Sequence, residues 1–453
     1  MAVHVESIAV GQPRVAVAFH SKIDLLAGIL GVLRTGRSVV LLNAGLSSDV
    51  LRVNLQDTAV QSVLHDGSVS QLSVIDNLAP PVLSVTDSGD HSVVTSIVQR
   101  SPDDEWGVLF SSGTTGVPKG IERSHESMVT EFIGWCLELG LTRATRFYIG
   151  RPIYYTGGLV LALATLLVGG TTVLNDYERD DSFDESWRDF QETLSESVID
   201  HAFFIPDQLR RFLKLHAAAD LTAQTILTMG APITGAEKQA IATRFGCKVV
   251  ESWGNSESLG TITDPEDVDL RPDSIGRPFL TDEMWVVNDE YRPVPAHELG
   301  RLAGSETAGF LKYSNRPQET ELAKHNEMII SEDIGYVDEQ GFFYVRGRSQ
   351  DCVTLSDGST IFVQSVERQL RGLPNIQDCC VLVGSPDGMV KFYVALVPTK
   401  NSNVPMSFDE MRQQLDERIA SNVEFRVYET LPRLPAGKID RTAILKTFDS
   451  TTS

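Results

Sequence analysis

The sequence predicts an α/β protein, with a large amino-terminal domain of layered α/β subdomains followed by a small carboxy-terminal α+β domain. Three observations carry this. Short β-rich runs alternate with amphipathic helical patterns along the first part of the chain. The 453 residues exceed the size at which one hydrophobic core keeps growing. Beyond Glu298 the pattern changes to short strands and glycine turns, as in Gly341-Phe342-Phe343-Tyr344-Val345-Arg346-Gly347.

In order, residues 15–19 read as a strand, 22–33 as an amphipathic helix and 38–42 as the next strand, a βαβ rhythm. The rhythm recurs at 147–150, 159–168 and 171–174, and strands follow at 201–205, 225–229 and 248–251. The last hundred or so residues read as helix 366–373, strands 379–383 and 391–397, and one helix over 407–421. A division near Gln350 then gives domains of 1–349 and 350–453.

Composition excludes several classes. The chain carries 39 basic against 61 acidic residues and no basic cluster, which disfavours nucleic acid binding. The five cysteines are too irregularly spaced for a disulfide framework or a metal knuckle, so reduced thiols are expected. The first ten residues lack a basic start and an apolar stretch, and the longest apolar run, 159–168, is too short to span a bilayer. A cytoplasmic, membrane-free protein is the expectation.

Chemistry concentrates in Ser111-Ser112-Gly113-Thr114-Thr115-Gly116-Val117-Pro118-Lys119-Gly120. Glycines let backbone N–H groups approach an anion, four hydroxyls add donors and Lys119 brings a positive charge. A strand at 106–110 precedes the segment and a helix start at 124–127 follows it, so strand, loop and helix would form a phosphate cradle. A Walker-type loop is excluded because Pro118 precedes the lysine and Gly120 follows it. The bland alternative is a flexible surface loop.

The segment resembles the phosphate loop of the adenylate-forming superfamily of acyl- and aryl-CoA synthetases, peptide-synthetase adenylation domains and luciferases. Further motifs follow in that family's order. Leu227-Thr228-Met229-Gly230-Ala231-Pro232 resembles the turn that lies against the adenine. Trp253-Gly254-Asn255-Ser256-Glu257 resembles the motif whose ring packs on the base, whose hydroxyl meets the α-phosphate and whose carboxylate helps hold Mg²⁺. Asp333 stands where the family's aspartate accepts both ribose hydroxyls, although Ser331-Glu332 replace Thr-Gly before it. Arg348 matches the arginine near ribose and phosphate, and Gln350 falls at the hinge position. Leu431-Pro432-Arg433-Leu434-Pro435-Ala436-Gly437-Lys438-Ile439-Asp440-Arg441 resembles the terminal loop of a mobile lid domain, whose lysine reaches the main site during adenylation.

The resemblance implies that ATP and Mg²⁺ activate a small-molecule carboxylic acid as an acyl-adenylate, with CoA or a carrier-protein phosphopantetheine as the later thiol acceptor. It makes Lys438, Lys119, Glu257 and Ser256 the catalytic candidates. Tyr154, Tyr155, Gly158 and Phe203 would line the acid pocket. No carboxylate stands near Tyr154 to pair with a substrate ammonium, so an apolar or aryl acid is expected over an α-amino acid. The segment 33–42 arrives several tens of residues sooner than its family counterpart. The shortened first subdomain leaves strands to be supplied by a partner subunit or a homodimer. Two alternatives stay open: a stand-alone amino-acid adenylation enzyme and a non-catalytic nucleotide-binding scaffold.

Overall fold

The computed structural model describes residues 13–60, 62–65, 69, 72, 82–84, 97–111, 118–174, 190–193, 198–213, 223–258, 260–355, 360–373, 375–384, 390–399, 407–433 and 439–449. The chain divides into two compact units, Met1–Trp285 with Ala303–Ile330, and Val286–Leu302 with Ser331–Ser453.

The first unit is built on two seven-stranded sheets. In one, the parallel strands Val82–Ser84, Val63–His65, Arg14–Ala18, Ser38–Leu41 and Glu105–Phe110 are followed by the antiparallel strands Gly120–Ser124 and Lys312–Tyr313. In the other, five parallel strands, from Thr171–Leu174 through Arg146–Ile149, His201–Phe204 and Thr225–Met229 to Lys248–Gly254, are likewise followed by two antiparallel ones, Gly260–Ile262 and Arg277–Pro278. The helices Lys22–Arg34, His125–Glu138 and Thr156–Leu167 share one core with strands of both sheets. The last is apolar nearly all round, with Gly158 to Thr165 buried without interruption, as a central helix requires. Ser48–Asp57 covers the far face of the first sheet, and Pro206–Phe212 and Gly235–Phe245 that of the second.

Two features differ from the expectation. The helix start expected at 124–127 holds, with Ser124 capping His125–Glu138. Before it, a strand that the sequence did not signal, Gly120–Ser124, returns antiparallel and buried against Glu105–Phe110. Glu122 and Arg123 interrupt the apolar pattern there, which conceals a strand whose charges are satisfied inside. The helix expected over 407–421 is two short ones, Phe408–Gln414 and Glu417–Ala420. Leu415 is extended at ψ 156, and Asp416 opens a new turn by accepting from the Arg418 backbone N–H.

In the second unit the sheet Ile376–Gly384, Lys391–Pro398 and Val423–Val427 alternates its faces. Cys379 and Val381 pack with the helix Val363–Arg371, whereas Cys380 and Leu382 pack with Arg441–Asp449. All five cysteines are free thiols. Burial pushes Cys247 and Cys380 up to about 12, so neither supplies a thiolate nucleophile near neutral pH. No helix among the described residues is long and apolar enough to cross a membrane.

Candidate active site

Each sheet of the first unit places one of the segments expected to bind nucleotide where its parallel run gives way to an antiparallel strand. In the first sheet the hairpin Glu105–Phe110/Gly120–Ser124 is closed at its open end by two bonds between the same residues. The Ser111 N–H donates to the Lys119 carbonyl at 3.0 Å, and the Lys119 N–H donates to Ser111 Oγ at 3.1 Å. Ser111 and Lys119 therefore form the neck of the phosphate loop. Ser112, Gly113, Thr114, Thr115 and Gly116 lie outside the described residues.

In the second sheet, Trp253 and Gly254 end one strand of a hairpin, with Gly260 opposite Gly254. A Cβ on Gly260 would come within 1.9 Å of the Trp253 carbonyl, so only glycine lets the strands meet. Asn255 Oδ1 accepts from the backbone N–H groups of Glu257 and Ser258, at 3.1 and 2.8 Å, which fixes the turn that presents Ser256 and Glu257. Trp253 stays half-buried beside it. Gly230, at φ +93, begins the exposed Gly230-Ala231-Pro232 turn at the end of the neighbouring strand, with open space where a side chain would be.

Buried Tyr313, which the motifs did not single out, joins these two hairpins. Its hydroxyl donates to Glu257 Oε1 at 2.8 Å, and its ring lies 5.1 Å from Lys119 Nζ. The Phe310 N–H donates to the Glu257 carbonyl at 2.7 Å. Arg123, fully buried, donates to the carbonyls of Ser256 (3.2 Å) and Ala308 (2.9 Å) and to the Glu131 carboxylate (2.9 Å). Burial pushes the Glu131 carboxyl up while the Arg123 guanidinium pulls it down, and burial prevails. Ser256 Oγ lies 2.9 Å from Thr156 Oγ1, at the first turn of the helix Thr156–Leu167. The structure thus gathers Lys119, Ser256 and Glu257, and adds Tyr313, Arg123 and Thr156. Tyr313 carried no motif signal of its own, and Arg123 was hidden in a strand that its charge disguised.

Among the described residues no three His, Cys, Asp or Glu side chains gather as a metal centre. Mg²⁺ bound mainly through substrate phosphates needs only one or two carboxylates, which Glu257 fits. The expected pocket residues divide. Tyr154 and Tyr155 are half-buried with rings 4.7 Å apart, and Arg151 lies 5.2 Å from the Tyr155 ring. Phe203 is 3% exposed in the central core. Gly158 is a packing glycine, since a Cβ there would meet the Pro152 carbonyl at 2.8 Å.

In the second unit, Asp333 and Arg348 face each other across the strands Met328–Val337 and Phe343–Arg348, with Asp333 Oδ1 3.7 Å from Arg348 Nε. Ser331 Oγ both accepts from the Asp333 N–H at 2.9 Å and donates to its carboxylate at 3.2 Å. The charge added by Glu332 has partners of its own, Arg301 at 2.9 Å and Ser349 at 2.5 Å. Gln350 is exposed on the 3₁₀ turn Ser349–Asp351. Lys438 lies outside the described residues, but the base of its loop is defined. Arg433 pairs with Ile439 in an antiparallel bridge, the Asp440 N–H donates to the Pro432 carbonyl at 2.8 Å, and Arg441 donates to the Val381 carbonyl and to Glu367 Oε1, both at 2.7 Å.

Comparison with known proteins gives the family and the fold. The chain is 24% identical to the long-chain-fatty-acid–CoA ligase FadD13 of Mycobacterium tuberculosis, over 97% of this chain and 88% of the relative. It is 25% identical to a 2-succinylbenzoate–CoA ligase of Listeria monocytogenes, over 87% and 78%. Its fold matches that of o-succinylbenzoate CoA synthetase (MenE) from Bacillus subtilis in complex with ATP and magnesium, with a TM-score of 0.82 at 22% identity over 97% of this chain and 90% of that one. The family model for AMP-binding enzymes matches residues 3–313, well over half of the sequence, and the chain belongs to that family.

Proposed function

We propose that this protein uses ATP to activate a carboxylic acid as its acyl-adenylate and then passes the acyl group to a thiol, that of CoA or of a carrier-protein phosphopantetheine. The observation that carries the reading is the contact chain Lys119, Tyr313, Glu257 in the first unit, with Ser256 next to Glu257. It sets a cation, a metal-competent carboxylate and a hydroxyl around one locus beside a glycine-rich loop. The names of the curated relatives, CoA ligases for fatty and aryl acids, support the same chemistry.

In this reading the substrate carboxylate attacks the α-phosphorus of ATP, and the bond to pyrophosphate breaks. Lys119 with the backbone of residues 111–116 receives the charge on the departing pyrophosphate, and Ser256, supported by Thr156, donates toward the α-phosphate. Bound Mg²⁺ at Glu257 would neutralise phosphate charge. Trp253 and the Gly230-Ala231-Pro232 turn hold the base, and Asp333 with Arg348 takes the ribose hydroxyls. Lys438 stabilises the pentavalent transition state. The lid runs from Gln350 through 453, the core covers 1–349, and rotation at Gln350 exchanges the adenylating lysine for the thiol acceptor. Tyr154 and Tyr155 favour an apolar or aryl acid, since neither supplies the anion that a substrate ammonium would need.

The test is pyrophosphate release with a panel of acids, followed by addition of CoA or a phosphopantetheinyl carrier. Release with hydrophobic or aryl acids and thioester formation is the expected result. Release only with amino acids would replace the substrate class, and no release with any acid would leave a nucleotide-binding scaffold. Lys438→Ala is expected to lower adenylate formation about 10²–10³-fold with ATP binding retained. Unchanged turnover would remove its assigned role.

A further inference from the structure

Lys119 is not held by backbone alone. Its Nζ lies 2.5 Å from Glu319 Oε2, on the short helix Pro317–Ala323 of the same unit. Glu319 in turn accepts from Arg316 Nη1 at 3.1 Å, and Arg316 Nη2 donates to Asp57 at 3.3 Å. The bond from Lys119, ahead of burial and Arg316, holds the Glu319 carboxyl below the usual carboxylate range, so it is an anion at neutral pH. Both members of the pair are about one-third exposed, 33% and 37%. A cavity of about 420 Å³ lined by Asp57, Asn315, Arg316 and Glu319 opens beside it.

We infer that Glu319 is an internal counter-anion for Lys119, which the phosphates of ATP displace on binding and which recaptures the lysine as pyrophosphate leaves. The inference rests on the reading of Lys119 as a phosphate ligand. A carboxylate in direct contact with the ammonium repels an arriving polyanion and competes for the same donor. Displacement is inexpensive here, because Glu319 keeps Arg316 when Lys119 departs and the adjoining cavity gives its side chain room to turn. The exchange leaves no charge without a partner. A residue that merely steadied Lys119 would aid phosphate binding; a counter-anion opposes it and hastens pyrophosphate release.

The experiment compares wild type, Glu319→Gln, Lys119→Met and the double variant by calorimetric titration with ATP, pyrophosphate and adenosine, without acid substrate. In Glu319→Gln, ATP and pyrophosphate are expected to bind about two- to five-fold tighter, the span of an exposed ion pair, and adenosine unchanged. The gain should vanish in the Lys119→Met background. Equal or weaker ATP binding in Glu319→Gln, while Lys119→Met alone weakens it, overturns the counter-anion and leaves the role of Lys119 intact. If Lys119→Met alters neither ATP nor pyrophosphate binding, the underlying reading of Lys119 fails instead.

Discussion

The two lysine loops are anchored alike but at different depths. A few residues after Lys119, Arg123 donates to a glutamate and to backbone carbonyls; a few residues after Lys438, Arg441 does the same. Arg123 and its partner Glu131 are 0% and 7% exposed, whereas Arg441 is 32% exposed against a buried Glu367. Arg123 also reaches the Ser256 carbonyl, so the first anchor ties the phosphate loop's hairpin to the turn bearing Ser256 and Glu257. The second anchor ties its loop to the strand Ile376–Gly384 and the helix Val363–Arg371 of the same unit. A deep anchor suits a site that must be preorganised. A shallow one suits the proposed role of Lys438 as a lysine that moves during the reaction.

The largest expected effect tests the deep anchor. Arg123→Met leaves Glu131 as a buried carboxylate without its guanidinium, and removing one partner of such a pair costs about 3–5 kcal/mol, read from urea unfolding. Replacing Glu131 by leucine as well should restore most of that stability but not activity, because the tether to Ser256 is still missing. Full recovery of activity in the double variant would show that Arg123 serves stability alone. Arg441→Met should cost less, about 1.5–3 kcal/mol, since Glu367 keeps Arg371 at 3.5 Å. The adenylation kcat should fall in that variant while the KM for ATP stays level. Equal losses in the two arginine variants would erase the distinction between deep and shallow anchors.

A smaller effect probes the link between the hairpins. Tyr313→Phe keeps the ring beside Lys119 and removes the donor to Glu257, so about a tenfold loss in kcat, equivalent to ~1.4 kcal/mol, is expected with a raised Mg²⁺ requirement. A normal Mg²⁺ profile would detach Tyr313 from the metal-competent carboxylate.

Most of the fold was legible, because periodicity survives wherever one side chain class faces one environment. Strands at 171–174 and 225–229 match to the residue, and the helix Lys22–Arg34 is displaced by one position at its end. Periodicity failed where charge is buried. Glu122 and Arg123 broke the apolar pattern and proved to be a strand, since Arg14 and Ser314 satisfy the first, and Ser256 and Ala308 help satisfy the second, from elements far away in sequence. The candidate site was legible as motifs but not as contacts. Lys119, Ser256 and Glu257 came from local patterns, whereas Tyr313 and Glu319 act on them across separations of 56 and more residues, which no local pattern encodes. Pocket residues fared worst, because a phenylalanine such as Phe203 has the same signature in a core as in a cleft.

The smallest expected effect concerns the ion pair on Lys119. Glu319 faces Lys119 and Arg316, and Asp57 beyond Arg316, and its carboxyl sits below its ordinary value of 4.5. A carboxyl whose folded pKa is depressed contributes stability that is present above the unfolded pKa and is lost as pH falls through the folded one. The difference in unfolding free energy between wild type and Glu319→Gln should therefore stay constant from neutral pH down to about 5 and shrink below 4.5, at under about 1 kcal/mol throughout. Arg316, raised above its ordinary value chiefly by its bond to Glu319, stays charged over this range, so the acidic fade follows the carboxylate. A difference that instead grew on acidification would mean that Glu319 is held protonated in the folded chain, and an uncharged carboxyl could not serve as the counter-anion of Lys119.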